Sequence, residues 1–222
     1  MQKFDTPAPI AAVLNIPAGR IRFIAADRAD TAVEVLPADA SSGRDVKAAE
    51  QITVGYADGV LRIAAAPAES RILGSSGSVQ VTVHLPAGSR VEAKAASTEF
   101  RSVGRLGDVA FEGAQASVKL DEAASARLAL LTGDITVGRL GGSAEISTQK
   151  GDINITEAVQ GTVTLRTEHG NISVGAATGV SAALDAGTSY GRIHNALKNT
   201  EGTPDLNIHA TTAYGDVTAR SL

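Results

Sequence analysis

The sequence predicts an all-β protein: a β-solenoid of stacked two-strand coils, about 18–24 residues each, preceded by a β-rich N-terminal lobe with hairpins. Three observations carry that expectation. Apolar and polar residues alternate from end to end, the period of a strand rather than a helix. A short line, Gly followed by Asp, Asn or Arg and then Ile or Val, recurs at Gly133, Gly151, Gly170, Gly191 and Gly215, at intervals of 18, 19, 21 and 24 residues. Self-similarity at that period marks stacked supersecondary units. Aromatic residues make up only 3% of the 222 residues and Trp is absent, which suits a narrow core of Val, Ile, Leu, Ala and Thr.

Strand-like alternation begins at Ile10–Ile16 and continues through Arg20–Ala25, Thr31–Val35, Gln51–Val54, Val60–Ala64, Val79–Leu85 and Arg90–Ala95. Clusters of Pro, Gly, Asp and Ser between these runs read as turns. The segment Tyr56-Ala57-Asp58-Gly59 sets an Asp-Gly pair between two runs, a hairpin signal. Arg44–Glu50 is the one stretch that reads as a turn or two of helix. Ala66–Ser78 reads as a loop, with a flexible turn at Gly74–Ser78. Pro17-Ala18-Gly19 and Pro86-Ala87-Gly88 read as one tight corner used twice, because Pro stops ladder pairing and Gly permits positive φ. Residues 1–95 therefore form the N-terminal lobe and 96–222 the repeat solenoid, the two making one continuous unit.

From residue 96 each repeat holds two short strands. One follows the motif, as in Ile135/Val137, Ile153/Ile155 and Ile172/Val174; the other precedes the next copy, as in Leu128/Leu130, Ala144/Ile146, Val163/Leu165, Ala182/Leu184 and Leu206/Ile208. A further Gly (Gly142, Gly161, Gly179) sits between them. Thr98–Val103 reads as a degenerate first copy. Four or five apolar side chains in a coil contribute roughly 1.5–3 kcal/mol each when buried. Ordering about 19 residues costs about 1–2 kcal/mol apiece in backbone entropy. A single coil cannot stand alone, and its neighbours must supply hydrogen bonds and a shared core.

Composition excludes several chemistries. The chain has no Cys, so disulfides, thiolate catalysis and sulfur-ligated metals are out. Net charge is −4 with both signs mixed, so no footprint for nucleic acid exists. No apolar run approaches the ~18 residues of a membrane span and none of signal-peptide length opens the chain; the expectation is a cytoplasmic protein without membrane insertion, or a secreted one if a leader was removed. His84, His169, His194 and His209 show no metal-ligand spacing, no His-Glu-x-x-His occurs, and no Gly-x-Ser-x-Gly elbow offers a Ser nucleophile.

Three columns in the repeat could carry chemistry. The residue after the motif Gly runs Asp134, Asp152, Asn171, Arg192, Asp216. A calcium ladder needs dense, periodic acidic turns, and the Asn and Arg dilute this one, so it reads as turn chemistry. Thr148, Thr167, Thr188 and Thr212 form a second column, read as strand-end caps. The residue before the Gly, Lys150, His169, Tyr190 and Tyr214, is the candidate binding stripe. Stacked on one corner, these residues combine aromatic and cationic character suited to an interface, or else shield a turn. No catalytic, cofactor or metal residues are expected.

With these motifs in view, the chain resembles the bacterial putative-adhesin, β-strand-repeat family (a domain of unknown function, DUF4097-like). The resemblance rests on Phe4-Asp5-Thr6-Pro7, Asp45-Val46-Lys47-Ala48-Ala49-Glu50, Leu85-Pro86-Ala87-Gly88-Ser89, Gly104-Arg105-Leu106-Gly107-Asp108 and the closing Thr212-Ala213-Tyr214-Gly215-Asp216-Val217. It implies a β-solenoid without catalytic residues. The function expected is that of a non-enzymatic interaction or self-assembly scaffold, its partner a protein or a second copy. The alternatives are an exported adhesin that binds carbohydrate or a cell surface, and, third, a hydrolase or lyase acting on a polymer.

Overall fold

The strand period wins throughout. A computed structural model describes residues 1–65, 77–199 and 202–222, and these hold seventeen strands and one short helix. In chain order they are β1 (Gln2–Asp5), β2 (Ala11–Ala26), β3 (Asp30–Pro37), α1 (Gly43–Glu50), β4 (Ile52–Ala57), β5 (Val60–Ala65), β6 (Val79–Pro86), β7 (Arg90–Val103) and β8 (Arg105–Thr132). The repeats follow as β9 (Ile135–Leu140), β10 (Ala144–Lys150), β11 (Ile153–Ala158), β12 (Gly161–His169), β13 (Ile172–Ala176), β14 (Ala182–Tyr190), β15 (Ile193–Ala196), β16 (Leu206–Tyr214) and β17 (Val217–Ser221). The helix starts where Ser42 caps it, its hydroxyl accepting from the Asp45 N–H. The hairpin expected at Asp58-Gly59 joins β4 to β5, with both residues at positive φ, 52° and 76°. The loop expected over Ala66–Ser78 lies mostly outside the described residues, as does Gly74–Ser76 of its flexible turn.

Pairing is parallel from coil to coil, which makes the architecture β-solenoid-like with two packed faces. On one face the strands run β4, β5, β2, β7, β8, β10, β12, β16, β14. On the other they run β1, β3, β6, β2, β7, β8, β9, β11, β13, β17, β15. The long strands β2, β7 and β8 continue from one face into the other. Among the described residues, antiparallel pairs occur only at the N-terminal end, at β1–β3, β3–β6 and β4–β5.

The order in space is not the order in sequence. The last coil, β16–β17, lies between β12–β13 and β14–β15, and β2 likewise lies between β5–β6 and β7. Successive repeats are therefore not all neighbours at the C-terminal end, and the N-terminal lobe shows a similar interposition at β2. An identical coil shape makes either order compatible with the ladder, so period alone cannot choose between them.

Two finer expectations also change. Thr98 pairs with Gly19 on one side and Ala116 on the other. A Cβ at Gly133 would in turn meet the Ala116 carbonyl. Thr98 thus occupies the column of the motif Gly, one corner step away from the Thr column, and the degenerate copy is out of register. Gly19 stands in that same column. Gly88 lies at the opposite corner, where its N–H donates to the Arg105 carbonyl. The two Pro-Ala-Gly segments are different corners, although both Gly residues need positive φ, 140° and 80°.

One continuous core runs from Ile10 to Val217, and residue 95 falls inside β7. The fully buried aromatic side chains gather where the lobe meets the repeats: Phe23, Phe100 and Phe111, with ring centroids 5.7 and 5.1 Å apart. Beyond them aliphatic columns suffice, such as Ile135–Ile153–Ile172–Val217 on one face and Ala144–Val163–Ile208 on the other.

Candidate functional site: a hydrogen-bonded corner that carries an aromatic stack

Everything singled out in the motif converges on one corner. The motif Gly residues stack so closely that no side chain fits. A Cβ on Gly151 would come within 2.1 Å of the Gly133 carbonyl oxygen, and one on Gly215 within 2.0 Å of that of Gly170. Each Thr hydroxyl donates to the Gly carbonyl of the coil before it in space: Thr148 to Gly133 at 3.3 Å, Thr167 to Gly151 at 3.1 Å, Thr212 to Gly170 at 2.9 Å and Thr188 to Gly215 at 3.0 Å. The Thr methyl and backbone stay buried or half-buried, so the column caps a strand end.

The next column also bonds along the axis. Asp134 Oδ1 accepts from the Asp152 N–H at 2.9 Å, Asp152 Oδ1 from Asn171 at 2.7 Å, Asn171 Oδ1 from Asp216 at 2.9 Å and Asp216 Oδ1 from Arg192 at 2.8 Å. Each Asx side chain extends the ladder by satisfying a corner N–H that the strands leave open. Arg192 ends the series on the outermost coil, where no further N–H has to be met. Asp134 and Asp152 are neighbours across coils, but each already has its backbone donor. Among the described residues no group of three or more His, Asp or Glu is placed to hold a metal ion.

The candidate stripe occupies the position before the Gly, and the structure brings its members together. Register sets Lys150 beside His169, His169 beside Tyr214 and Tyr214 beside Tyr190. The His169 and Tyr214 rings stack with centroids 4.9 Å apart and planes 10° apart; Tyr214 and Tyr190 stack at 4.8 Å and 4°. Those separations equal the spacing between strands, so backbone register sets them. Tyr214 is 50% and Tyr190 67% exposed. Followed backwards, the same column is Thr132, Gln115, Ser97 and Ala18, so its rings are confined to the coils from β12 outward. Sequence order would place Tyr190 in the middle of the stack. The interposed β16 makes it the outermost ring, with one face stacked on Tyr214 and, among the described residues, no ring against the other.

That outer coil has further properties that sequence reading missed. Among the described residues, β14 and β15 pair on one side only. Ile193 aligns with Val217 in the core column yet is 47% exposed. The opposite end is closed by antiparallel β1 and β4, whose Phe4 and Tyr56 rings meet at 5.6 Å. The signal for this asymmetry was the 24-residue final interval, long enough for the chain to pass back over one coil.

The fold and its corner define a class: an all-β repeat protein in which parallel coils are held by stacked Gly, Thr and Asx columns. The chain belongs to the Toastrack family, DUF4097, whose model matches residues 13–220. Among curated proteins none matches. Solved structures similar to it include a putative adhesin from Bacteroides fragilis, 12% identical over 98% of this chain and 95% of that one at a TM-score of 0.49. A putative lipid binding protein from Parabacteroides distasonis is 12% identical over 98% and 95% at a TM-score of 0.48. A putative cell adhesion protein from Clostridium sporogenes is 12% identical over 100% and 98% at 0.40.

Proposed function

We propose that the protein is a non-enzymatic interaction scaffold that associates with a second copy of itself through the open C-terminal coil. The observation that carries this is the end of the aromatic stack: Tyr190 presents an unstacked ring face beside Ile193, a core-column residue left 47% exposed. Open strand edges recruit further strands. The edge of β14 carries a single charge, Asp185, which already faces His209 at 3.3 Å. A matching end from a second copy would cover Tyr190 and Ile193 and pair the free edges by a two-fold axis, the commonest closed symmetry. Carbohydrate binding by the stripe would have to use its outer rings, because sugars stack on free ring faces and both faces of Tyr214 lie against His169 and Tyr190.

Sedimentation equilibrium across the micromolar range tests the reading. The native chain is expected to associate reversibly, and the double substitution Tyr190→Ala, Ile193→Asp to hold it monomeric with unchanged circular dichroism. A native chain that sediments as a monomer throughout that range refutes self-association. If a protein partner is then captured from native cells and Tyr190→Ala with Tyr214→Ala leaves its binding unchanged, the stripe has no part in recognition.

A further inference from the structure

Four pairs of opposite exposed charges on this solenoid meet across neighbouring strands. Arg20 faces Glu99 at 3.5 Å, Lys94 faces Glu112 at 3.0 Å, Arg127 faces Glu145 at 3.6 Å, and Arg139 meets Glu157. Another row instead sets like charges side by side. Register sets Arg22 directly beside Arg101, and Arg101 directly beside Lys119. All three are exposed, and among the described residues none of their side chains has an ion pair or hydrogen bond.

Three cations in register on adjacent strands, about 4.8 Å apart, repel one another and destabilise the sheet. The row offers no compensation of its own. Its next members are Thr82 on one side and Thr136 on the other, with Glu34 a further strand away. Of the carboxylates in adjoining rows, Glu99 is engaged by Arg20, and Asp121 accepts from the Gly104 N–H at 3.3 Å. In a chain with 24 acidic against 20 basic residues, a repulsive triplet is not the product of a general excess of positive charge. A depression of about 330 Å³ opens beside it, lined by Arg20, Ile21, Arg22, Gln80, Glu99 and Arg101.

We propose that Arg22, Arg101 and Lys119, with Arg20 and Gln80 at the rim, form an oxyanion site that takes phosphoryl groups. Guanidinium forks match tetrahedral oxyanions in geometry and charge. A row spanning about 10 Å over three strands suits a ligand with two or more phosphoryl groups better than a single phosphate. The site lies on a different face from the aromatic corner and does not depend on self-association.

The test measures binding of inorganic pyrophosphate by calorimetry at low ionic strength, with chloride matched in ionic strength as the reference. A second arm measures co-sedimentation with phosphatidylcholine vesicles doped with phosphatidic acid. The site variant is Arg22→Gln with Arg101→Gln; the control is Arg166→Gln with Arg220→Gln, which removes two exposed, unpaired cations elsewhere. Native and control chains are expected to bind, and the site variant to lose about tenfold or more in affinity, as befits loss of two charge-assisted contacts. Pyrophosphate binding alone identifies a soluble ligand, and vesicle binding identifies a lipid headgroup. Binding in neither arm, or equal binding by the native chain and the site variant, overturns the proposal. All these side chains are exposed, so the variant folds; in the absence of anion it should unfold no earlier than the native chain, which separates a ligand site from a structural one.

Discussion

Replacing Gly151 by Ala puts one methyl group where the stack of coils leaves no room. Its φ is 143°, a region L-residues rarely occupy, and the new Cβ would lie 2.1 Å from the Gly133 oxygen and 2.5 Å from its carbonyl carbon. The strain alone costs about 1–3 kcal/mol. Neither contact is with a flexible side-chain tip, so relief requires the two coils to part. Parting them weakens three bonds across the same corner: Gly133 N–H to Lys150 O at 2.8 Å, Thr148 hydroxyl to Gly133 O at 3.3 Å and Asp152 N–H to Asp134 Oδ1 at 2.9 Å. Each is worth about 0.5–1.5 kcal/mol net. A total loss of about 3–6 kcal/mol is expected, a large part of the stability of an ordinary domain. Urea denaturation followed by circular dichroism measures it as a fall in midpoint at constant m. Gly55→Ala is the control, since a Cβ there meets nothing within 4 Å, and it should be neutral or slightly stabilising. If Gly151→Ala loses less than about 1 kcal/mol, the corner is not close-packed and the architectural role of the motif Gly is wrong.

Three other outcomes follow from the same corner and its surroundings. Asp152→Ala deprives the Asn171 N–H of its acceptor and should lower stability by about 1 kcal/mol, whereas Asp152→Asn keeps an acceptor and should stay within about 0.5 kcal/mol of native; denaturant midpoints distinguish them. The Ser102 hydroxyl is fully buried and has no hydrogen-bond partner among the described residues, so Ser102→Ala should raise stability by up to about 1 kcal/mol, read as a higher melting temperature. Hydrogen bonds from Arg28, at 2.9 Å to each oxygen, hold the Asp30 carboxyl below its ordinary value of 3.8. A lowered folded-state value means the pair stabilises at pH above the ordinary range and loses that contribution as pH falls through the folded value; an NMR titration should find the Asp30 midpoint below 3.8 and Arg28→Gln should raise it.

Legibility in the sequence followed the physics that each feature obeys. Strand identity was readable because alternation is local, and the Asp58-Gly59 turn and the helix at Gly43–Glu50 were readable because turn and cap chemistry are local too. The stripe at Lys150, His169, Tyr190 and Tyr214 was readable as a set because the repeat fixes which positions share a corner. Its order was not readable. Whether β16 packs outside β14 or slips between β12 and β14 depends on matching one coil surface against another, and all the coils present nearly the same surface. The false alignment of Thr98 has the same root: a Thr hydroxyl reaches a Gly carbonyl from either column, since Thr98 donates to Gly19 at 2.7 Å much as Thr212 donates to Gly170 at 2.9 Å. The cationic row was invisible because Arg22, Arg101 and Lys119 are brought together only by register.

Interposition at the ends gives the fold a logic that sequential stacking would lack. In a sequential solenoid the chain's last coil is also the outermost, held by a single neighbour and free to fray. Here β16–β17 is gripped on both sides, its Thr212 bonded inward to Gly170 and its Gly215 carbonyl receiving Thr188 from the coil outside. The outermost coil, β14–β15, is tethered in sequence at both ends, by β13 before it and β16 after it. Fraying of the exposed coil therefore opens a loop rather than releasing a tail. Such a coil can expose Ile193 and two unpaired edges without starting to unravel the stack. The ring of Tyr190, stacked on Tyr214 at 4.8 Å, adds a side-chain contact at the corner between this outermost coil and the coil that it rests on.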